Sequence, residues 1–199
     1  MTLVKICGLT RVQDAELAAD LGADALGFVH EPSSPRYIDE ERDIKWIERL
    51  PPFALKVAVF GRVTRTVPLG VFDHVQGAEW EVYPVPYPKR LHVLRLRPGQ
   101  KAQDLVNQTV NATALVLDAH KEGAYGGTGQ AVDWDLAAEI VQRAERPVIL
   151  AGGLTPDNVA KAIERVRPYA VDVSSGVESL PGMKDPIKLR DFIQAAKSA

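Results

Sequence analysis

Two side chains suited to moving protons stand where short apolar runs end. Cys7 lies in Lys5-Ile6-Cys7-Gly8-Leu9-Thr10, and Asp118 follows Ala114-Leu115-Val116-Leu117. Cys7 is the only cysteine of the 199 residues, so no second thiol is present for an internal disulfide or a paired-thiol metal site. Its remaining roles are nucleophile, proton-transfer group or inert filler. Asp118 is expected to project from a buried strand, where loss of solvation raises a carboxyl's pKa until it can donate a proton near neutrality. An N-cap or an ion-pair partner fits that position equally well.

Other segments suggest how a ligand could be gripped. Ala151-Gly152-Gly153-Leu154 and Asp172-Val173-Ser174-Ser175-Gly176-Val177 each follow an apolar run. Small residues there let backbone N–H groups approach an anion, and serine hydroxyls add donors, so the pair reads as a phosphate cradle. Arg36, in the proline-stiffened Glu31-Pro32-Ser33-Ser34-Pro35-Arg36-Tyr37, could hold a carboxylate by a two-pronged contact, although a solvated loop arginine is the commoner case. Gly123-Ala124-Tyr125-Gly126-Gly127-Thr128-Gly129 reads either as a closing loop or as plain surface. No Lys-Ser or Lys-Thr follows it, so it is not a Walker A loop. His30, His74, His92 and His120 show no metal-ligand spacing, and no metal is expected.

Positioning such groups requires a scaffold, and the chain alternates short β-rich apolar runs with stretches of helical period, the pattern of parallel strands with crossover helices. The runs are Leu3–Ile6, Ala25–Val29, Leu55–Phe60, Ala78–Tyr83, Leu91–Leu96, Ala114–Leu117, Val148–Ala151 and Tyr169–Val173. Helical faces are clearest at Ala137/Ile140/Val141/Ala144, Val159/Ala162/Ile163/Val166 and Leu189/Phe192/Ile193/Ala196. Thr155-Pro156 and Asp185-Pro186 read as N-cap followed by proline at the first helical position, and Thr10-Arg11-Val12-Gln13 as a capping box. Eight strands and at least seven helices favour one closed (β/α)8 barrel domain over residues 1–199, with an open doubly wound sheet as the alternative. One unit is degenerate: the three prolines of Pro84-Val85-Pro86-Tyr87-Pro88-Lys89-Arg90 forbid an ordinary helix, and an extended crossover is expected there. In a barrel, all the segments singled out above fall on the face where strands end and chemistry is done.

Composition narrows the partners. Twenty-four basic against 26 acidic side chains give a net charge of −2, and no cluster of Lys or Arg could track a nucleic-acid backbone. No apolar span approaches the roughly 20 residues needed to cross a bilayer, and the amino terminus runs directly into Leu3-Val4-Lys5-Ile6, so a cytoplasmic protein without membrane or nucleic-acid partners is expected. A lone thiol that need not be oxidised agrees with that compartment. The sequence sets no oligomeric state.

Longer stretches carry a family likeness: Lys5 to Thr10, Ser34-Pro35-Arg36-Tyr37-Ile38, Val57 to Phe60, Leu117-Asp118, Tyr125 to Gly129 with Asp133-Trp134, Gly152 to Val159, and Val171 to Glu178 leading to Pro181-Gly182-Met183-Lys184-Asp185. In these the chain resembles the phosphoribosylanthranilate isomerases of tryptophan biosynthesis over nearly its whole length. The resemblance implies a cofactor-independent Amadori rearrangement of N-(5-phosphoribosyl)anthranilate, a small phosphosugar substrate, to 1-(2-carboxyphenylamino)-1-deoxyribulose 5-phosphate. It implies Asp118 as general acid and Cys7 as general base, the latter as a thiolate partly populated near pH 7. It further implies Arg36 on the anthranilate carboxylate, Asp172 on sugar hydroxyls, and Gly152, Gly153, Ser174, Ser175 and Gly176 on the phosphate.

One departure stands out. The family's fourth strand reads close to Val-Gln-Leu-His-Gly and leads into a helix, whereas Glu79-Trp80-Glu81-Val82-Tyr83 and the proline-rich stretch occupy that place here, with Tyr83 expected in place of the histidine. An oligomer interface built from the fourth helix is put in doubt by the same change. The rival readings are another phosphosugar isomerase barrel, such as the histidine-pathway enzyme that uses carboxylates as acid and base, and a non-catalytic phosphosugar-binding barrel in which Cys7 is filler. The thiol favours the tryptophan-pathway reading over the former.

Overall fold

Alternate residues of Leu3–Cys7 face two different cores. Val4 and Ile6 join a large apolar cluster that includes helix residues such as Ala15, Ile140 and Phe192, while Leu3 packs with a second cluster of strand and strand-end residues. This two-sided burial is what a parallel strand under a layer of helices requires, and each large side chain withdrawn from water contributes about 1.5–3 kcal/mol. The computed structural model describes residues 1–63, 70–80, 89–106, 111–119 and 132–199.

Among the described residues, eight strands close into a parallel barrel: β1 (Leu3–Cys7), β2 (Ala25–Val29), β3 (Leu55–Val59), β4 (His74–Gly77), β5 (Arg90–Leu96), β6 (Ala114–Ala119), β7 (Val148–Leu150) and β8 (Ala170–Val173). β1 pairs with both β2 and β8, which closes the ring. The helices described are α1 (Val12–Asp20), α2 (Glu40–Glu48), α3 (Ala102–Val106), α4 (Trp134–Arg143), α5 (Val159–Val166) and α6 (Pro186–Ser198). These are six among the described residues. The inner cluster, with Val57, Leu91, Val116 and Ile149 among its members, plugs the barrel, so the interior is a packed core with a polar end. None of the described helices is long and apolar enough to cross a membrane.

The (β/α)8 reading is correct, and its fourth strand is misplaced. The strand is His74-Val75-Gln76-Gly77, while Glu79–Trp80 pairs with Arg62–Val63 in a separate two-stranded patch. Val75 faces the outer core, and Gln76 and His74 are buried polar residues, so a count of apolar residues passes over this strand and settles on its neighbour. The strand carries the Val-Gln of the family pattern. Counted from there, the histidine position falls on Ala78 and not on Tyr83, which lies outside the described residues with Pro84 to Pro88, the 123–129 segment and His120.

The helix starts follow the expected caps only in part. Asp185 caps α6 through Ile187 N–H and Lys188 N–H, with Pro186 in the first turn. The Thr10 hydroxyl is instead spent on the Gly182 carbonyl at 2.6 Å, leaving Arg11 at the N-cap position of α1. α5 begins at Val159, three residues beyond Pro156, because the Asn158 side chain accepts from Thr155 N–H and donates to the Gly153 carbonyl. Those two bonds hold Thr155 to Asn158 as a turn.

Candidate active site

Because side chains alternate along a strand, Cys7 shares the inward side of β1 with Lys5, two residues deeper. Lys5 is Cα-paired with Asp172 on β8, and its ammonium donates to Asp172 Oδ2 at 2.8 Å. Both are buried, so each charge depends on the other for solvation lost on folding. Burial opposes the charge on Lys5, but Asp172 and Cys7 together outweigh it and leave the Lys5 pKa raised.

Cys7 is buried at the strand's end. Burial pushes its thiol up, Lys5 pulls it back, Asp172 pushes it up again, and the net shift is upward. The expectation of a thiolate partly populated near pH 7 is therefore corrected for the protein by itself: the proton rests on sulfur, since desolvation penalises the anion more than Lys5 stabilises it.

Asp118, on β6, was expected to have a raised pKa, and it does. Burial lifts it to about 6, the negative Asp172 adds to the rise, and the Ala119 N–H, Arg95 and Lys5 moderate it. Its Oδ1 accepts from Ala119 N–H at 2.9 Å. Such a carboxyl is poised to give and take a proton near neutrality.

Cys7, Arg36, Asp118, Gly152, Gly153, Asp172, Ser174 and Ser175 all line one cavity at the carboxyl ends of the strands. Two buried polar atoms of this group, Asp172 Oδ1 and Ser174 Oγ, have no hydrogen-bond partner among the described residues, which suits a polar ligand. Gly176 is the exception and does not line the cavity. A Cβ on it would stand 1.9 Å from the Leu154 carbonyl oxygen, so this glycine lets the loop after β8 close against the loop after β7.

Arg36 is held side-on. Its Nε donates to Glu178 Oε1 at 2.9 Å and its Nη2 to Glu178 Oε2 at 2.7 Å. Gly8, at φ +73, makes room for this arginine: a Cβ there would lie 2.5 Å from Arg36 Cδ and 2.8 Å from Ser174 Oγ.

Sequence reasoning overlooked Lys5, Gln76, Arg95, Glu178 and Lys184. Gln76 and Arg95 line the cavity, and Arg95 is the Cα partner of Asp118 on the adjacent strand. Alternation carries the signal for two of them: Arg95 follows Leu91 and Val93 at spacing two, and Lys5 precedes Cys7 at the same spacing. A charged residue in phase with inward apolar ones near a strand's carboxyl end belongs to the mouth.

Comparison with known proteins agrees with this arrangement. Residues 4–195 match the profile of the family described as N-(5'phosphoribosyl)anthranilate (PRA) isomerase. The chain is 44% identical to an N-(5'-phosphoribosyl)anthranilate isomerase of Pseudomonas fluorescens, with 97% of each chain covered. It is likewise 44% identical to one of Trichlorobacter lovleyi, covering all of both chains. Among solved structures it is similar to phosphoribosyl anthranilate isomerase from Thermotoga maritima, at TM-score 0.83 and 35% identity with full coverage of both. A phosphoribosyl anthranilate isomerase in complex with reduced 1-(o-carboxyphenylamino)-1-deoxyribulose 5-phosphate matches at TM-score 0.80 and 34% identity, again over both whole chains. With its barrel, its cavity and these relatives in agreement, the chain belongs to the N-(5'-phosphoribosyl)anthranilate isomerase family.

Proposed function

We propose that Asp118 and Cys7 perform the two proton transfers by which this enzyme, an N-(5'-phosphoribosyl)anthranilate isomerase, converts its substrate to 1-(2-carboxyphenylamino)-1-deoxyribulose 5-phosphate. The observation that carries the assignment is the placement of a thiol and a carboxyl of pKa about 6 on one cavity.

Asp118 in its acid form gives a proton to the ribose ring oxygen. The bond from that oxygen to C1 breaks, the anilino nitrogen supplies its lone pair, and an open-chain Schiff base results. Cys7 then takes the proton from C2, the electron pair moves toward nitrogen, and the enolamine that forms tautomerises to the ketone by gaining a proton at C1 and losing one from the C2 hydroxyl. Atoms and electrons are conserved throughout, so no outside oxidant or reductant enters. The reacting protein holds one proton between the two groups, on Asp118 and off Cys7; Lys5 supports this arrangement by facing the sulfur with positive charge.

Arg36 takes the anthranilate carboxylate and Asp172 the sugar hydroxyls, with Oδ1 unpartnered and Oδ2 committed to Lys5. Gly152, Gly153, Ser174 and Ser175 receive the phosphate, and Gly176 closes the cradle by packing on Leu154. Gripping both ends of the substrate places its middle for the proton transfers. A reducing, cytoplasmic setting suits a mechanism that requires Cys7 as a free thiol.

The test is to generate the labile substrate in situ and follow loss of its anthranilate fluorescence. Cys7→Ser and Asp118→Asn are each expected to lose about a hundredfold or more in kcat. Unchanged turnover in either variant removes that residue from the mechanism.

A further inference from the structure

Lys184 is among the least exposed charged residues of the protein, with 1% of its side chain accessible, and it touches three separate elements. Its ammonium donates to the Cys7 carbonyl at 2.6 Å, the Ser174 carbonyl at 3.1 Å and Glu178 Oε1 at 2.9 Å. Glu178, 5% exposed, passes the connection to Arg36 through the two-pronged contact described above. A buried cation thus ties the ends of β1 and β8 to a carboxylate that grips the arginine of a different loop.

The chemistry of a guanidinium makes this consequential. It can bind a carboxylate by its side edge, through Nε and one terminal nitrogen, or by its end, through the two terminal nitrogens. Glu178 occupies the side edge. Only the end edge, Nη1 and the second hydrogen of Nη2, is left to face the cavity that Arg36 lines.

We propose that Glu178 and Lys184 are positioning residues that present Arg36 to the substrate by its end edge, setting specificity for a ligand bearing a ring carboxylate. This rests on the reading that Arg36 binds that carboxylate. Burial pushes the Glu178 carboxyl up, but Arg36 and Lys184 outweigh it and leave its pKa below the usual value, so the carboxylate and its grip on Arg36 persist across the neutral range. In Glu178→Gln the amide cannot accept on both sides. Oxygen can serve Lys184 and Arg36 Nε, and the NH2 then meets Arg36 Nη2 donor to donor, which cuts the two-pronged contact to one bond.

Two ligands test the proposal: reduced 1-(o-carboxyphenylamino)-1-deoxyribulose 5-phosphate and its phenylamino counterpart lacking the ring carboxylate. Affinities are measured for wild type, Glu178→Gln, Lys184→Met and Arg36→Met, with kcat and KM for each. In Glu178→Gln and Lys184→Met the carboxylate ligand is expected to bind at least about tenfold more weakly, with the counterpart within about twofold and the loss carried mainly by KM. Equal weakening of both ligands, which general damage to the cavity would give, overturns the proposal, as does unchanged binding of the carboxylate ligand. Tighter binding of that ligand by Glu178→Gln also overturns it, because Glu178 would then act as a competing charge. If Arg36→Met fails to separate the two ligands, the carboxylate contact itself is wrong; if Arg36→Met separates them and Glu178→Gln does not, only the positioning role falls. Should Lys184→Met not fold, the isosteric Glu178→Gln decides alone.

Discussion

Lys5 Nζ lies 2.8 Å from Asp172 Oδ2 in the barrel interior, and that pair charges the floor beneath Cys7. Removing the cation in Lys5→Met leaves a buried carboxylate without its counter-ion, expected to cost about 3–5 kcal/mol in urea unfolding near neutrality. Because Lys5 is the strongest of the influences that lower the Cys7 pKa, the thiol of this variant titrates at higher pH than in wild type. Thiolate absorbance against pH measures that displacement, and a thiol unmoved by the substitution would contradict it.

The activity profile follows from counting protons on Asp118 and Cys7 together. In the proposed mechanism the reactive form carries one proton between them, on Asp118 and off Cys7, and this total is most populated between the Asp118 pKa of about 6 and the thiol's raised value. We expect kcat/KM to rise through about pH 6, level off, and fall only in the alkaline range. Arg95→Met removes one influence that lowers Asp118, so the acid limb moves to higher pH in that variant. A limb that stays in place would separate it from Asp118.

The same carboxyl affects stability with the opposite benefit. Its folded pKa of about 6 exceeds the ordinary 3.8, so the native state binds more protons than the unfolded chain between these values. Stability from this group is full below about pH 4 and is lost as pH rises through about 6, by on the order of 2 to 3 kcal/mol. Asp118→Asn is therefore expected to be more stable than wild type at about pH 8 and to lose most of that advantage at about pH 4. Equal unfolding midpoints at both pH values would refute it.

Gly8→Ala is expected to weaken substrate binding before it harms folding. A left-handed residue with a Cβ costs about 1–2 kcal/mol, and the new methyl meets Arg36 Cδ at 2.5 Å. Arg36 cannot yield, because Glu178 holds both Nε and Nη2. The measurement is KM against kcat, with KM moving more.

Legibility from sequence tracked chemistry that is local in the chain. The ends of apolar runs located Cys7 and Asp118, and glycine with serine located two further segments that line the same cavity. What escaped is polar residues buried inside strands. Gln76 and His74 disguised β4, and the gap was filled by Trp80 and its neighbours, which look more like a strand than the strand does. Glu178 and Lys184 also escaped: they belong to the short antiparallel pair Glu178–Leu180 and Met183–Lys184, and Glu178 reaches Arg36 across 142 residues, a contact no periodicity records. The smallness of Gly176 also serves the meeting of two loops, a packing role that composition does not reveal.

The alternation of β1 also limits how this protein can change by descent. Lys5 and Cys7 share one side of the strand and Val4 and Ile6 the other, so a single residue gained or lost ahead of Cys7 would turn the sulfur toward the helices and bring an aliphatic chain into the mouth. A change of length is therefore expected to be better tolerated in the connections beyond the strand ends than within Leu3–Cys7.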